Sequence, residues 1–383
     1  MSDDRASGTP SGVRLPAGVS DYPPGRAAAL DSCLAGLNQV FESYGYRRVY
    51  TPWFELLGSL ERGLSGEAQA RLFHLVDPGS GEILVLRPDF TAQVARMVAA
   101  RMSAGPRPLR LAYHGRVARA VDALGRGLSS RDLFQAGIEL IGAAGPVAER
   151  EVLTIATAAF AKLGRTLTLD LSHAGILAAL APEGLDAPTR LALSARDEVA
   201  LAQRAPQLLP LLKLHGGPEV LRRAAAELQG APRSVTVALE ELQGAIDGLT
   251  RTPPTQVSVD LAEVRGFGDY TGLVFRGYTE GAADAVVSGG RYDRLLGRFG
   301  KEEAAVGFGI DVGAVLLGQT PPPRRGVVIA GQPGDPASED AALAHRARGE
   351  PTVVVEPSSA LAYAEHHGYR LLVTGDGVER SLP

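Results

Sequence analysis

The feature that most constrains the fold is a long helical stretch inside a strand-forming sequence. Residues 173–250 are rich in Ala, Leu, Arg and Glu and poor in β-branched residues, which favours helices over strands. Just before them, TLTLDLS alternates leucine with polar residues, and just after them VSVDLAEV (Val257–Val264) resumes this alternation, as sheet strands do. The sequence therefore predicts a sheet domain, residues 14–172 and 251–318, that carries a helical insertion.

The first part of the sheet domain shows patterns of both helices and strands. Apolar residues recur at helical spacing over Arg26–Tyr44, and a second helix is predicted over Thr91–Ser103. Two apolar runs around DPGSG indicate a hairpin, and further strands are predicted over Leu109–Tyr113 and Leu133–Ile141. Pro52 interrupts the β-type run RRVYTPWFE, which places that run at a sheet edge because proline donates no ladder hydrogen bond. Together these patterns predict an α+β fold, a mostly antiparallel sheet with flanking helices.

The two ends of the chain differ from the sheet domain. Residues 1–13 are small and polar, which predicts a disordered tail. Three consecutive prolines at 321–323 indicate a linker. Beyond it, residues 324–383 alternate apolar strand patterns with helices near Glu339–Arg348 and Ala360–His367, which predicts a small parallel α/β unit.

Composition excludes several classes of function. The net charge of −4 shows no basic excess, so we expect neither nucleic acid nor a membrane surface as a partner. The single cysteine, Cys33, excludes an internal disulfide and a cysteine-based metal cage. GxxxxGK[ST], HExxH and GxSxG motifs are absent, and GFGIDVG lacks the GxGxxG spacing, so we interpret its glycines as tight backbone packing. No basic-then-apolar leader and no long apolar stretch occur, so we expect a cytoplasmic protein without a resident metal or cofactor.

Several segments match one known family in their order and spacing. They are PAGVSDYPP (Pro16–Pro24), YTPWFE (Tyr50–Glu55), LRPDFTAQVAR (Leu86–Arg96), YHGRVARAVDALGRGLSSRDLFQAGIELIG (Tyr113–Gly142), EVRGFGDYTGLVF (Glu263–Phe275), SGGRYDRLLGRFG (Ser288–Gly300) and AAVGFGIDVGAVLLG (Ala304–Gly318). Over about residues 14–318 the chain resembles class II aminoacyl-tRNA synthetases, specifically histidine–tRNA ligase. The resemblance implies a class II antiparallel sheet, and a homodimer formed through the segment that contains Pro52.

The same resemblance implies a pocket for histidine. An amino acid requires carboxylates and amide oxygens for its ammonium group and a cation for its carboxylate. The positions implied to hold the amino group are Asp89, Gln135 and Glu139. Thr91 is implied to supply a hydroxyl. Arg265 is implied to supply a cation for the ligand carboxylate, and Tyr270 a wall for the imidazole.

Two positions of this pocket depart from the ligase pattern. Asp89 is one methylene shorter than the usual glutamate, and Asp269 replaces the first of two tyrosines. The alternative interpretation is that the polar groups are hydrogen bonds that support the fold and bind no ligand.

Several residues that bind ATP in histidine–tRNA ligase are not present at the matching positions of this chain. Arg119 is retained, but Val121 stands where a glutamate is expected and Gly313-Ala314 stand where a Glu-Arg pair is expected. Adenylate formation requires cations for the phosphates and carboxylates for magnesium, and the loss of one such contact typically slows a reaction about a hundredfold or more. We therefore predict no catalytic residues, and expect Arg119 to hold an anion or the histidine carboxylate.

A ligase-like core, a depleted ATP site and a shortened C-terminal region together resemble the family of ATP phosphoribosyltransferase regulatory subunits. Membership implies a non-catalytic protein that assembles with a short-form catalytic subunit into a hetero-octamer built from ligase-like dimers. The catalytic partner condenses ATP with phosphoribosyl pyrophosphate, the first step of histidine biosynthesis, and histidine is the inhibiting effector. The alternatives are an active histidine–tRNA ligase with altered ATP contacts, and an amino-acid or tRNA sensor domain with an unrelated partner.

Overall fold

A computed structural model of the chain describes residues 14–70, 72–120, 131–249, 255–264, 269–316, 325–374 and 377–382. The chain divides into two compact units, Met1–Gln319 and Thr320–Pro383. The described strands of the first unit are β1 (Arg47–Arg48), β2 (Phe54–Leu56), β3 (His74–Val76), β4 (Ile83–Leu86), β5 (Leu109–Ala118), β6 (Asp132–Ile141), β7 (Thr168–His173), β8 (His215–Gly216), β9 (Gln256–Asp260), β10 (Leu273–Tyr278), β11 (Val287–Arg291) and β12 (Ala305–Asp311). Its described helices are α1 (Pro24–Ser43), α2 (Leu57–Leu60), α3 (Gly66–Gln69), α4 (Thr91–Arg101), α5 (Pro146–Lys162), α6 (Ala174–Leu180), α7 (Ala187–Ala195), α8 (Glu198–Arg204), α9 (Val220–Glu227), α10 (Arg233–Leu249) and α11 (Val312–Val315), with 3₁₀ helices at Glu61–Gly63, Pro206–Lys213 and Leu296–Phe299.

Nine of these strands form one sheet in the order β1-β5-β6-β12-β11-β10-β7-β9-β8. Neighbouring strands are antiparallel except in two pairs, β1 with β5 and β7 with β9. Helices α1 and α5 flank the sheet. The prediction of an α+β fold with a mostly antiparallel sheet and flanking helices is therefore confirmed.

The two faces of the central strands have different chemistry, because successive side chains of a strand point to opposite faces. On one face Ile138, Phe308 and Phe275 are buried against α1 and α5, with Phe41 of α1 meeting Phe308 edge-on at 6.1 Å. Burying each such side chain contributes about 1.5–3 kcal/mol. The other face carries glycines and polar residues, among them Glu139, and the candidate site lies there.

The residues between β7 and β9 form the helices α6 to α10. His173, the last residue of β7, caps the N-terminus of α6, since its Nδ1 accepts a hydrogen bond from the backbone N–H of Gly175 at 3.1 Å. The longest of these helices, α10, packs on both α5 and α6. Residues His215–Gly216 add a short edge strand to the sheet, which the helical composition of this region did not predict.

A second, three-stranded sheet has the order β2-β4-β3. The hairpin between β3 and β4 turns at Asp77, whose carboxylate accepts hydrogen bonds from the backbone N–H groups of Gly79 and Ser80 at 3.1 and 3.3 Å. One face of this sheet buries Val85 among apolar residues of the neighbouring helices. The other face leaves Phe54, Leu56 and Leu75 exposed.

The second unit is a small α/β structure of β13 (Val327–Ala330), α12 (Pro336–Ala347), β14 (Thr352–Val355), α13 (Pro357–His366), β15 (Leu371–Val373) and β16 (Glu379–Ser381). The sheet order is β14-β13-β15-β16; the first three strands are parallel and β16 is antiparallel. Helices α12 and α13 contribute to two separate apolar clusters of this sheet. No helix formed by the described residues of either unit is long and apolar enough to cross a membrane.

Candidate functional site

The candidate site lies where β5, β6 and β12 meet the N-terminus of α4. Glu139 of β6 is paired with Leu111 on one side and Gly307 on the other, and Tyr113 is paired with Gly137. The Thr91 hydroxyl, at the start of α4, lies near the side chains of both Glu139 and Tyr113 and lowers the pKa of each. The sheet register and the helix start thus bring residues from distant parts of the chain to one point.

Glu139 is the most deeply buried carboxyl group of the site, with an exposed fraction of 1%. Its Oε1 accepts a hydrogen bond from the Tyr113 hydroxyl at 3.4 Å, and its Oε2 has no hydrogen-bond partner among the described residues. Burial raises the pKa of Glu139 to about 8; the negative charge of Asp89 adds to this effect, while the bonds from Thr91 and Tyr113 oppose it. This carboxyl group is therefore protonated at neutral pH.

Asp89 lies beside α4, where its Oδ1 accepts a long hydrogen bond from the backbone N–H of Ala92 at 3.5 Å. Burial raises the pKa of Asp89, and the positive charge of Arg119 opposes the rise. Arg119 is held by its Nε, which donates to the carbonyl oxygen of Pro88 at 2.9 Å. The site therefore contains a carboxylate with a nearby guanidinium as well as the neutral Glu139.

Gln135 and Tyr270 occupy other parts of the same region. The Gln135 side-chain oxygen accepts from the backbone N–H of Phe90 at 3.3 Å, so it is already engaged with the protein. Burial raises the pKa of Tyr270, and the charges of Asp269, Asp89 and Glu139 raise it further. Tyr270 thus lies close enough to both site carboxyl groups to be affected by their charges.

Glycines leave room for these side chains on the sheet surface. A Cβ added at Gly307 would overlap Glu139 Oε2 and lie 2.6 Å from the Tyr292 hydroxyl. A Cβ added at Gly309 would lie 2.5 Å from Gln135 Nε2. One added at Gly137 would lie 2.6 Å from the Tyr113 hydroxyl, and one at Gly290 would lie 2.7 Å from the Tyr270 ring. Because real Cβ atoms do not approach so closely, any larger residue there would displace the site side chains.

Most of the implied pocket residues are brought together here. Asp89, Thr91, Glu139 and Tyr270 share one region, Arg119 and Gln135 border it, and Arg265 lies outside the described residues. Their roles in binding histidine stay predictions.

Two tyrosines of the site were missed by the sequence reasoning. Tyr113 is fully buried and stacks on Phe90 with ring centroids 4.5 Å apart. Tyr292 is 7% exposed, and its hydroxyl has no partner within the described ranges. The available signal was that each lies in a segment already matched to the ligase pattern.

Gly313 and Ala314, which replace the Glu-Arg pair expected for ATP binding, lie at the start of α11. Asp311 Oδ1 accepts from the backbone N–H of Ala314 at 3.1 Å, and burial raises the pKa of Asp311 while Arg119 opposes the rise. The Tyr22 hydroxyl approaches Gly313, and the Tyr22 ring meets Phe134 edge-on at 5.3 Å. The groups within 4 Å of a Cβ added at Gly313 are thus the Tyr22 phenol and the Asp311 carboxyl group. Val121 lies outside the described residues.

No cluster of three or more His, Cys, Asp or Glu side chains suited to a metal ion occurs among the residues that the structure describes. The chemistry of the described site is hydrogen bonding and ion pairing around buried carboxyl groups. This chemistry suits a ligand with a cationic amino group.

Comparison with known proteins identifies the family of the chain. The family model described as histidyl-tRNA synthetase matches residues 18–315. An ATP phosphoribosyltransferase regulatory subunit of Anaeromyxobacter sp. (strain Fw109-5) is 41% identical over 316 residues, which are 78% of this chain and 91% of that protein. The protein of the same name from Symbiobacterium thermophilum is 36% identical over 360 residues, which are 88% of each chain.

Solved structures give the same result. The structure of an ATP phosphoribosyltransferase regulatory subunit/histidyl-tRNA synthetase from Bacillus halodurans has a TM-score of 0.80 at 25% identity and covers 96% of this chain and 99% of that one. A histidine–tRNA ligase subunit from Alicyclobacillus acidocaldarius has a TM-score of 0.68 at 30% identity and covers 81% and 98%. The class II synthetase-like fold is therefore confirmed. The chain belongs to the family of ATP phosphoribosyltransferase regulatory subunits, whose core has the fold of histidyl-tRNA synthetase.

Proposed function

We propose that this protein is a regulatory subunit of ATP phosphoribosyltransferase, acts in histidine biosynthesis in the cytoplasm, and has no catalysis of its own. The observation that carries the proposal is the uncharged pair Gly313-Ala314, where the resemblance implies a Glu-Arg pair. Phosphoryl and adenylyl chemistry depends on fixed charges around the phosphates. A cleft without those charges keeps the means to bind a metabolite but lacks the means to activate it.

The effector in this proposal is histidine. Its ammonium group lies against Glu139 and Asp89, and its imidazole lies against Tyr270. Thr91 and Gln135 add hydrogen bonds, and Arg119 and Arg265 are the candidate partners of its carboxylate. The buried carboxyl groups support this arrangement, because a desolvated carboxylate binds an ammonium group more strongly than an exposed one does.

Regulation follows if the assembly has two arrangements that bind histidine with different affinities. A ligand shifts such an equilibrium only by its differential affinity, and a coupling of about 1–3 kcal/mol is typical of allosteric proteins. In this proposal, the arrangement that binds histidine more tightly is the one in which the catalytic partner is less active.

The assembly that we propose is a hetero-octamer of short-form catalytic subunits and homodimers of this chain. The exposed face of the three-stranded sheet supports the homodimer. That face carries three exposed apolar side chains, Phe54 and Leu56 of β2 and Leu75 of β3. Two further exposed aromatic residues, Tyr50 and Trp53, come just before β2 in the sequence. A contiguous apolar surface of this kind is typical of an interface, and we assign it to a second copy of this chain.

The decisive experiment mixes this protein with a short-form catalytic subunit and follows product formation from ATP and phosphoribosyl pyrophosphate. We expect activity only when both chains are present, and inhibition when histidine is added. Full activity of the catalytic subunit alone, unchanged by this chain and by histidine, would contradict the proposal.

An active histidine–tRNA ligase is the second candidate, because the matching family model and several structural relatives carry that name. Histidine-dependent exchange of pyrophosphate into ATP by the purified chain would favour it at once. The third candidate, a sensor domain with an unrelated partner, would be favoured by a pull-down that recovers no phosphoribosyltransferase.

A further inference from the structure

We infer that the pocket binds its amino acid by proton exchange: the ligand's ammonium group replaces the carboxyl proton of Glu139, and the proton leaves to the solvent. This inference rests on the proposed function, and concerns the same pocket. It adds a protonation step that makes effector binding depend on pH.

Two buried polar atoms of the candidate site, one from Glu139 and one from Tyr292, lack a partner within the described part of the chain. Glu139 Oε2 and the Tyr292 hydroxyl have no hydrogen-bond partner among the described residues, although both residues are more than nine-tenths buried. The two atoms converge over Gly307, where an added Cβ would lie 2.0 Å from Glu139 Oε2 and 2.6 Å from the Tyr292 hydroxyl. A buried polar atom without a partner is costly, so two that converge on one space indicate a group that binds there.

The groups that face Glu139 do not supply the charge that an ionised carboxylate needs. From the α4 side come the Thr91 hydroxyl and the carboxyl of Asp89, and from β5 comes the Tyr113 phenol. Tyr270 faces it from the segment before β10, and Tyr292 from the segment after β11. The guanidinium of Arg119 lowers the pKa of Asp89 and of Asp311.

The exchange keeps the charge of the site constant. In the empty protein Glu139 is neutral, consistent with a pKa of about 8. On binding, the O–H bond of the carboxyl group breaks, the proton passes to water, and an ammonium N–H donates to the carboxylate. A buried ion pair is tolerated only when both charges are present together, so the cationic ligand allows Glu139 to ionise.

Because histidine binding is linked to proton release, the number of protons released and the pH dependence of the affinity can both be calculated. At pH 7, binding releases about 0.9 proton per ligand, and the affinity rises about fivefold between pH 7 and pH 8, because the ionised form becomes more populated. The imidazole of free histidine is mostly neutral over this interval, so the ligand itself contributes little to the change.

The test is calorimetric titration of the whole protein with histidine at pH 7, in buffers of different ionisation enthalpy. The slope of the observed binding enthalpy against the ionisation enthalpy of the buffer gives the number of protons released per histidine bound. We expect a slope near one for the wild type and near zero for Glu139→Gln. Asp170→Asn is the matched control: Asp170 has a pKa that burial raises and a bond from Ser258 at 2.9 Å, but it lies on β7 away from the pocket, so the slope should be retained.

Binding of histidine without proton release would overturn this inference and leave the proposed function intact. Absence of any histidine binding would overturn the effector role as well. A ¹³C NMR titration of the Glu139 carboxyl in the ligand-free protein gives an independent readout. A midpoint near 8 supports the exchange, whereas a midpoint near 4.5 refutes it.

Discussion

Glu139→Gln should stabilise the folded protein at neutral pH, although the same change damages the proposed binding site. The pKa of Glu139 rises from 4.5 to about 8 on folding. At pH 7 the unfolded carboxyl is ionised and the folded one is protonated, which costs about 3 kcal/mol of folding free energy at 1.36 kcal/mol per pH unit. Glutamine has nearly the shape of the protonated acid but never ionises, so it removes this cost.

The sign of the pH dependence follows from the direction of the shift. Because the folded pKa is raised, the stability contributed by the neutral carboxyl is fully present below about pH 4.5 and is lost as the pH rises through about 8. The variant and the wild type should therefore have similar stability near pH 4.5. Their free energies of unfolding should diverge by about 3 kcal/mol at pH 7.

The assay is urea unfolding followed by fluorescence of Trp53, the single tryptophan, which reports on the first unit. Glu240→Gln, an exposed position of α10, serves as the control and should follow the wild type at every pH. If Glu139→Gln also follows the wild type at pH 7, the carboxyl is hydrated and charged in the folded protein, and the burial argument is wrong.

Three further predictions concern binding and assembly. Glu139→Gln should weaken histidine binding by about 10- to 150-fold, the loss of a charge-assisted hydrogen bond worth about 1.5–3 kcal/mol; calorimetry measures this, and unchanged affinity would place the effector elsewhere. Gly307→Ala should abolish histidine binding because its Cβ overlaps the Glu139 carboxyl, whereas Gly66→Ala, which meets nothing within 4 Å, should not; normal binding by Gly307→Ala would contradict the described geometry. Leu56→Glu should convert a dimer to a monomer in analytical ultracentrifugation, whereas a charge at exposed Val199 should have no effect; a dimer that survives Leu56→Glu would exclude this face as the interface.

The elements predicted best from the sequence are those whose periodicity is set by burial. The apolar spacing over Arg26–Tyr44 predicted a helix, and the structure has it over Pro24–Ser43. The strand predicted over Leu109–Tyr113 continues to Ala118, because its outer half pairs with β6 through polar residues and glycine that show no alternation. β8 and β16 are two and three residues long, and pairing alone, with no repeated pattern, makes them strands.

The site was only partly accessible to sequence reasoning, for a related reason. Asp89, Thr91 and Glu139 were predicted from a resemblance, and the structure places them close together where β6 meets the start of α4. The convergence of Tyr292 on the space above Gly307 depends on how β11 and β12 pair, which no local pattern encodes. The engagement of the Gln135 oxygen by a backbone N–H is likewise a tertiary contact.

The pairing of Glu139 with Gly307 also bears on how the chain is synthesised. β6 leaves the ribosome long before β12, so the growing chain presents β6 as an open strand edge until the last part of the first unit arrives. Unpaired edges recruit other strands, and such distant pairings form slowly. We expect nascent chains that end before Ala305 to require chaperones, and the pocket to be among the last parts of the protein to mature.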